Sequence, residues 1–339
     1  VYTTEGAVKF RSFIHAKELI LVIEIECTGK EKDAVFKWLA GPAVDFRNVK
    51  RFPDDPPNPP SRNEIEGDIE VCVQPRVAGG EFASAWKEVA VDKKTRRLYL
   101  SIADKFPATG AAKEAANTVR QAVKTDFGQL VQKHRQWWHG FYPKSFVSIP
   151  NTYAESFYWA QMYKLGSATR QDRMVMDLLG PWYRQTRWPR IWWNLNIQIA
   201  YAPVYTSNHL ELGQSLTRMI DRNRDNFARN ARDIYGLEDA ATVPHTTCYE
   251  GLRGDGSAAP DKYINPADFT WALHNYCLQY RYSMDRSIIT DQEKHAFFPM
   301  LKGSVNIYLH LLQQGDDGRL HLPALMSPEY AIVADNNYN

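Results

Sequence analysis

The spacing of apolar residues along this chain changes near residue 106, from a period of two to a period of three or four. Before that point, the segments "AVKFRSFI" and "ELILVIEIEC" have the pattern of β-strands. The segment "AWKEVAVDKKTRRLYLSI" predicts a hairpin with its turn around Asp92 to Thr95, and the proline-rich residues 51–63 predict an irregular loop. Residues 1–106 are therefore expected to form an antiparallel β-sandwich.

After residue 106 the pattern is helical. Apolar residues recur at three- and four-residue steps from Ala115 to His134, which predicts one long helix in a helical linker over residues 107–149. From residue 150 onward we expect roughly five or six helices joined by long aromatic-rich loops. Asn265 is a candidate N-cap before Pro266, and Thr290 to Glu293 has the form of a capping box. The fold class expected is α+β with several domains.

Composition excludes several function classes. With 44% apolar residues and a formal net charge of +2, the 339-residue chain can bury a core and gives no reason to expect nucleic acid as a partner. No apolar run approaches the ~20 residues of a membrane span. The four cysteines lie far apart and no metal-ligand spacing or nucleotide-binding motif is present, so no metal and no cofactor are expected. Composition leaves the compartment open.

Two asparagines stand out in the tryptophan-rich segment "RWPRIWWNLNIQIAYAP". A side-chain amide cannot ionise, but it offers two donors and an acceptor, so Asn194 and Asn196 together could hold a water or orient a carboxylate. At this spacing they share a face only on an extended segment or loop. Alternatively, Asn196 caps a short helix and Asn194 satisfies loop carbonyl groups.

The segment "DLLGPWYRQTRWPRIWWNLNIQIAYAPVYTSNHLEL" resembles a region of glycoside hydrolase family 95, the α-L-fucosidase and α-L-galactosidase family. "VPHTTCYEG" is similar to the His-rich segment of that family, and "DDGRLHLPALMSPEY" to its later segment with the Ser-Pro-Glu sequence. The resemblance covers roughly Trp137 to Tyr330. It implies an inverting hydrolase of α-L-linked sugars, an oligosaccharide or polysaccharide as substrate, an (α/α)6 barrel, and a periplasmic or secreted location.

The resemblance assigns Glu329 the role of general acid, with Asn194 and Asn196 orienting the water and the base. A general acid needs a pKa raised towards working pH, which apolar surroundings could provide. From its position alone, Glu329 could equally be an ordinary acidic residue in the first turn of a helix behind Ser327.

Aromatic residues and a histidine are candidate sugar contacts. An aromatic face can lie against a sugar ring, but large aromatic side chains also pack cores, and both alternatives are open for Trp182, Trp193 and Trp271. His245 could donate to a sugar hydroxyl or be a hydrogen-bonded loop histidine.

The chain also departs from the family. "IAYAP" replaces the family's Met-Asn-Tyr-Trp after the asparagine pair, so another (α/α)6 sugar enzyme such as an α-L-rhamnosidase, or a non-catalytic carbohydrate-binding protein, is an alternative. An inverting enzyme needs a second carboxylate as base, roughly 6.5–9.5 Å from the acid. In the family this base lies far downstream of the Ser-Pro-Glu segment. We therefore expect the base beyond Asn339, so that residues 150–339 form a partial barrel and the 339-residue chain alone is inactive or poorly folded. If the chain alone is active, Asp335 is the first candidate for the base.

Overall fold

The computed structural model describes residues 2–44, 49–50, 53–178, 180, 182, 190–252 and 265–322, and the backbone of 325–326 and 333–334. The chain divides into two compact units, unit 1 over Val1–Gly140 and unit 2 over Phe141–Asn339. Antiparallel strands precede helices, so the α+β class is confirmed. Among the described residues, none of the helices combines the length and apolar character that crossing a membrane requires.

Unit 1 is built on one six-stranded antiparallel sheet. Its strands are β1 (Gly6–Ile14), β2 (Ile20–Gly29), β3 (Arg62–Glu66), β4 (Ile69–Pro75), β5 (Glu81–Ala90) and β6 (Thr95–Lys105), in the order β1-β2-β6-β5-β4-β3. The predicted hairpin is confirmed, since β5 pairs with β6 and Asp92 Oδ1 accepts from the backbone N–H of Thr95 at 2.8 Å. All six strands belong to this sheet, so the second sheet of a sandwich stays a prediction.

The two faces of the sheet are covered differently. One face carries the buried side chains Val71, Ala83 and Tyr99, and the helix α1 (Ala111–Lys124) packs against it. On the other face, Trp38, which lies in a segment without regular secondary structure after β2, stacks on Trp86 with ring centroids 5.2 Å apart. Because strand residues alternate between faces, β4 and β5 contribute to both layers.

Helix α1 is part of the core of unit 1. Its buried face is made almost entirely of alanines, which allow the helix to approach the sheet closely. The Glu81 carboxylate on β5 accepts from the N–H groups of Gly110 and Ala111, at 2.8 and 3.0 Å, and so caps the helix from the sheet.

The predicted single helix from Ala115 to His134 is wrong, because two helices occupy this region. Helix α1 ends at Lys124, where Thr125 is extended with ψ 136°. Helix α2 (Phe127–Phe141) then begins behind Asp126, whose Oδ1 accepts from the N–H of Gln129 at 3.0 Å. Asp126 therefore caps the start of a second helix at a point where the periodicity predicted a continuous one.

Unit 2 is helical. Its described helices are α3 (Thr152–Ala168), α4 (Asn196–Thr206), α5 (Leu210–Arg222), α6 (Arg224–Tyr235), α7 (Ala267–Ser283), α8 (Ser287–Thr290) and α9 (Phe297–Leu311). Helix α7 contacts α4, α5 and α9 and is the centre of this packing. Large side chains such as Tyr201, Phe269 and Tyr276 are fully buried there. Membership of an (α/α)6 barrel stays a prediction.

Two predicted helix starts differ in outcome. Asn265 Oδ1 accepts from the N–H of Ala267 at 2.9 Å, and Pro266 between them already has helical angles, φ −61° and ψ −23°, so Asn265 caps α7 as predicted. The capping box at Thr290 is wrong, because Thr290 is the last residue of α8 and its hydroxyl donates backwards to the Arg286 carbonyl at 3.1 Å. The next helix, α9, begins only at Phe297.

Candidate functional site

A short two-stranded ribbon brings two predicted site residues together. Ile191–Trp192 pairs antiparallel with Thr246–Thr247, and the N–H of Trp193 donates to the carbonyl of His245 at 3.0 Å. This pairing places the start of the asparagine segment beside the histidine segment. The rings of Trp192 and His245 meet edge to face, with centroids 5.3 Å apart.

The chain turns sharply between the two asparagines. Leu195 has φ 70° and ψ −51°, and the N–H of Asn196 donates to the carbonyl of Asn194 at 2.8 Å. These angles and this bond define a γ-turn of the rare, strained kind. A backbone of this type in a residue other than glycine costs about 1–3 kcal/mol and tends to occur at functional sites.

The turn gives the two asparagines different settings. Asn194 lies in the turn, and Asn196 is the first residue of α4, where no side-chain hydrogen bond caps the helix. The alternative in which Asn196 is an N-cap therefore has no support in the geometry. Both side chains are partly exposed, so they can reach a bound molecule.

A buried carboxylate joins Asn194 to His245. Asn194 Nδ2 donates to Asp268 Oδ1 at 3.0 Å, and His245 Nδ1 lies 3.1 Å from Asp268 Oδ2. Asp268 lies in the first turn of α7 and is 1% exposed. The carboxylate therefore holds two candidate site residues that come from different segments of unit 2.

Hydrogen bonds of Gln198, which lies on α4, connect this helix to α7. Its Nε2 donates to the backbone carbonyl of Asp268 at 3.0 Å and also to the carbonyl of Trp193. Asn275 Nδ2 on α7 donates in return to the Gln198 carbonyl at 3.0 Å. All four residues are buried, so these three hydrogen bonds form where water does not compete.

Tyr308 on α9 lies within the electrostatic range of this carboxylate. Burial raises the pKa of the Tyr308 hydroxyl; a hydrogen bond with Thr270 opposes the rise, and the negative charge of Asp268 adds to it. The phenol is therefore neutral at physiological pH and can act only as a neutral donor or acceptor.

The three candidate tryptophans have different surroundings. Trp193 is fully buried, its Nε1 donates to Thr247 Oγ1 at 2.8 Å, and its ring meets Phe227 edge to face. A ring without exposed surface cannot lie against a sugar, so this arrangement favours a core role for Trp193. Trp271 on α7 is 37% exposed and Trp182 is 49% exposed. These two have a surface to offer a ligand.

Glu329 lies outside the described residues, and so does Asp335. Within the described residues, no group of three or more His, Cys, Asp or Glu side chains could hold a metal ion.

Asp268 was not predicted as a candidate site residue from the sequence. The segment "NPAD" indicated only a helix start. The available signal was a carboxylate directly before the apolar run "FTWAL", which a helix was expected to bury. Its partners lie 74 and 23 residues away, so no local pattern identifies them.

A comparison with known proteins covers the part of the chain that holds these residues. The family model described as "Glycosyl hydrolase family 95 catalytic domain" matches residues 150–339, which is more than half of the chain. Asn194, His245 and Asp268 all lie within the matched region. No curated protein matches the sequence. The match implies a carbohydrate substrate and glycoside hydrolase chemistry, and the chain belongs to glycosyl hydrolase family 95.

Proposed function

We propose that this chain is the catalytic region of an inverting glycoside hydrolase that cleaves α-L-linked sugars of the fucoside or galactoside type. Glu329 is the general acid, and Asn194 and Asn196 orient the attacking water and the base. Residues 150–339 form the catalytic domain, as part of an (α/α)6 barrel. The family match over these residues supports the reaction class.

The proposed role of the asparagines rests on the geometry around Asn194. Its Nδ2 is bound to Asp268 at 3.0 Å, so its Oδ1, at the opposite end of the amide, is directed away from that carboxylate. A fixed amide oxygen can accept from a water, and holding the nucleophile in line with the anomeric carbon lowers the entropy cost of the reaction. The partly exposed Trp271 and Trp182 are the proposed contacts with the sugar ring.

The test is hydrolysis of aryl α-L-fucoside, α-L-galactoside and α-L-rhamnoside by the purified full-length gene product, with NMR detection of the first anomer released. Turnover of the fucoside or galactoside with inverted configuration supports the proposal. Preference for the rhamnoside would point to another sugar enzyme. Sugar binding without turnover of any substrate would point to a non-catalytic carbohydrate-binding protein.

Glu329→Gln tests the general acid. We expect kcat to fall about 10²- to 10⁴-fold with KM little changed, because the lost proton transfer occurs only in the transition state. A dinitrophenyl leaving group needs little protonation, so the variant should recover most of its activity on that substrate. Glu238→Gln, at a largely exposed residue of unit 2, is the control and should behave as wild type. An equal loss of kcat on both leaving groups would contradict this role for Glu329.

A further inference from the structure

Asp268 is the most buried charged side chain of the site, and it binds two neighbours that are themselves partly exposed. Its side chain is 1% exposed, whereas the side chain of His245 is 14% exposed and Asn194 is also partly accessible. The carboxylate therefore lies behind these two residues and does not itself reach a bound substrate. Any effect on the reaction has to pass through Asn194 or His245.

The chemistry of the three groups fixes the direction of both hydrogen bonds. A carboxylate only accepts, so Asn194 must present its amide nitrogen and His245 must carry a proton on Nδ1. The orientation of the Asn194 amide and the tautomer of His245 are thus set by one residue. In the neutral ring, Nε2 is then the acceptor nitrogen.

The position of Asp268 is itself fixed from two sides. Its backbone carbonyl accepts from Gln198 Nε2 on α4 at 3.0 Å, and α4 begins directly after the γ-turn that carries Asn194. The amide of Asn275, two turns further along α7, binds the Gln198 carbonyl. Helices α4 and α7 are therefore connected at the point where the carboxylate meets the asparagine.

We propose that Asp268 is a positioning residue that turns the Asn194 amide oxygen towards the substrate and holds His245 as its Nδ1-protonated tautomer. The proposal rests on the proposed function for its effect on turnover. The orientation of the Asn194 amide and the tautomer of His245 do not depend on a bound substrate. Burying a carboxylate is costly unless hydrogen bonds compensate, and here both compensating donors are candidate site residues.

Asp268→Asn is a sharp test, because it keeps the shape and removes one acceptor. An asparagine at this position has one oxygen and one NH2 group, so it can satisfy only one of the two donors as they stand. Either Asn194 turns over and presents its nitrogen to the substrate, or His245 moves its proton to Nε2. Both changes alter the site without removing a packed atom.

The chain offers a matched control at Asp239. This exposed aspartate accepts from Asn306 Nδ2 at 3.1 Å and lies 2.9 Å from His310 Nε2, so it also joins an asparagine and a histidine. Asp239→Asn removes the same acceptor from the same pair of residue types in the same unit. It should leave kcat unchanged.

The first measurement is the tautomer of His245, from the ¹⁵N shifts of its ring nitrogens in the wild-type protein at pH 8, where an ordinary imidazole is neutral. We expect Nδ1 to carry the proton. A His245 ring protonated on Nε2 would overturn the proposal, whether or not the protein hydrolyses a glycoside. This measurement needs neither turnover nor a variant, so its failure is distinct from failure of the proposed function.

The second measurement compares kcat, KM and unfolding for Asp268→Asn and Asp239→Asn, both made in the full-length gene product. We expect Asp268→Asn to lower kcat at least about tenfold per folded molecule, with KM changed less than about threefold, because a misoriented amide or tautomer affects mainly the transition state. A wild-type kcat per folded molecule in Asp268→Asn, even with reduced stability, would show a merely structural role and overturn the proposal.

Discussion

Trp193 and Trp271 show how differently two tryptophans near one site can be used. Trp193 is fully buried and donates through its indole N–H to Thr247, so its bulk and its hydrogen bond both hold the ribbon against the helices. Trp271 is 37% exposed. The first residue supports the site from behind, and the second is available to a ligand.

Replacing each tryptophan with phenylalanine should separate these roles. Trp193→Phe leaves the Thr247 hydroxyl without its donor and opens a space, so we expect the free energy of unfolding to fall by roughly 1–3 kcal/mol in urea denaturation. Trp271→Phe should cost less than about 1 kcal/mol and instead weaken sugar binding, measured by calorimetry. Equal losses of stability in the two variants would contradict this distinction.

At this scale the sequence indicated candidate residues but not their partners. The alternation of Asn194 and Asn196 with apolar residues singled out the two asparagines, and the family resemblance assigned their role, which stays a prediction. The carboxylate of Asp268 was not predicted as the partner of Asn194, since the contact joins residues 74 positions apart. The positive φ of Leu195 was also not predictable, because leucine gives no local signal for it.

Whether a helix starts at a given residue depends on the hydrogen bond of a single side chain, and this bond can differ between similar sequence motifs. Asn265 accepts from the N–H of Ala267 and caps α7. Thr290 matches a capping motif equally well, but it ends α8, and its hydroxyl donates to a carbonyl. Thr125 likewise interrupts a helical pattern because Asp126 caps the next helix. Periodicity therefore predicted that helices exist and could not place these ends.

Asn265→Ala and Thr290→Ala should differ in stability. Asn265 is buried and its side chain satisfies a helical N–H group, so its loss should lower the free energy of unfolding by about 1 kcal/mol. Thr290→Ala removes an exposed bond and should stay within about 0.5 kcal/mol of wild type. Urea denaturation of unit 2 measures both. A larger loss for Thr290→Ala would mean that the sequence motif acts as a cap after all.

Each compact unit contains a buried neutral histidine. In unit 1, His15 Nδ1 accepts from the backbone N–H groups of Lys17 and Glu18, at 3.3 and 3.0 Å. In unit 2, His209 Nε2 donates to the Phe141 carbonyl at 3.0 Å while Nδ1 lies 3.0 Å from the Ser207 hydroxyl. Burial is the main cause that lowers the pKa of both rings below the ordinary 6.5.

Both units should therefore lose stability as the pH falls below about 6.5. The unfolded chain takes up a proton in this window before the folded chain does, so this contribution is complete above the ordinary pKa and is lost towards lower pH. Hydrogen exchange of peptides from each unit at pH 7.5 and 6.0, corrected for the intrinsic rate, measures the change. His209→Gln should flatten the pH dependence of unit 2 alone, and His15→Gln that of unit 1 alone. An unchanged pH dependence in both variants would contradict this origin.

The order of strands in unit 1 has a consequence for how that unit assembles. Strand β6 lies between β2 and β5, and pairs Ser101 with Ile20 on one side and with Ala85 on the other. During synthesis the hairpin β1-β2 and the meander β3-β4-β5 can form first, but each keeps an open edge until residues 95–105 leave the ribosome. Pairing of β6 with both neighbours then completes the sheet, and helix α1, which packs on it, follows directly in the chain. We expect this late, long-range pairing to dominate the folding barrier. The φ-values should then be highest in β6 and its two neighbours.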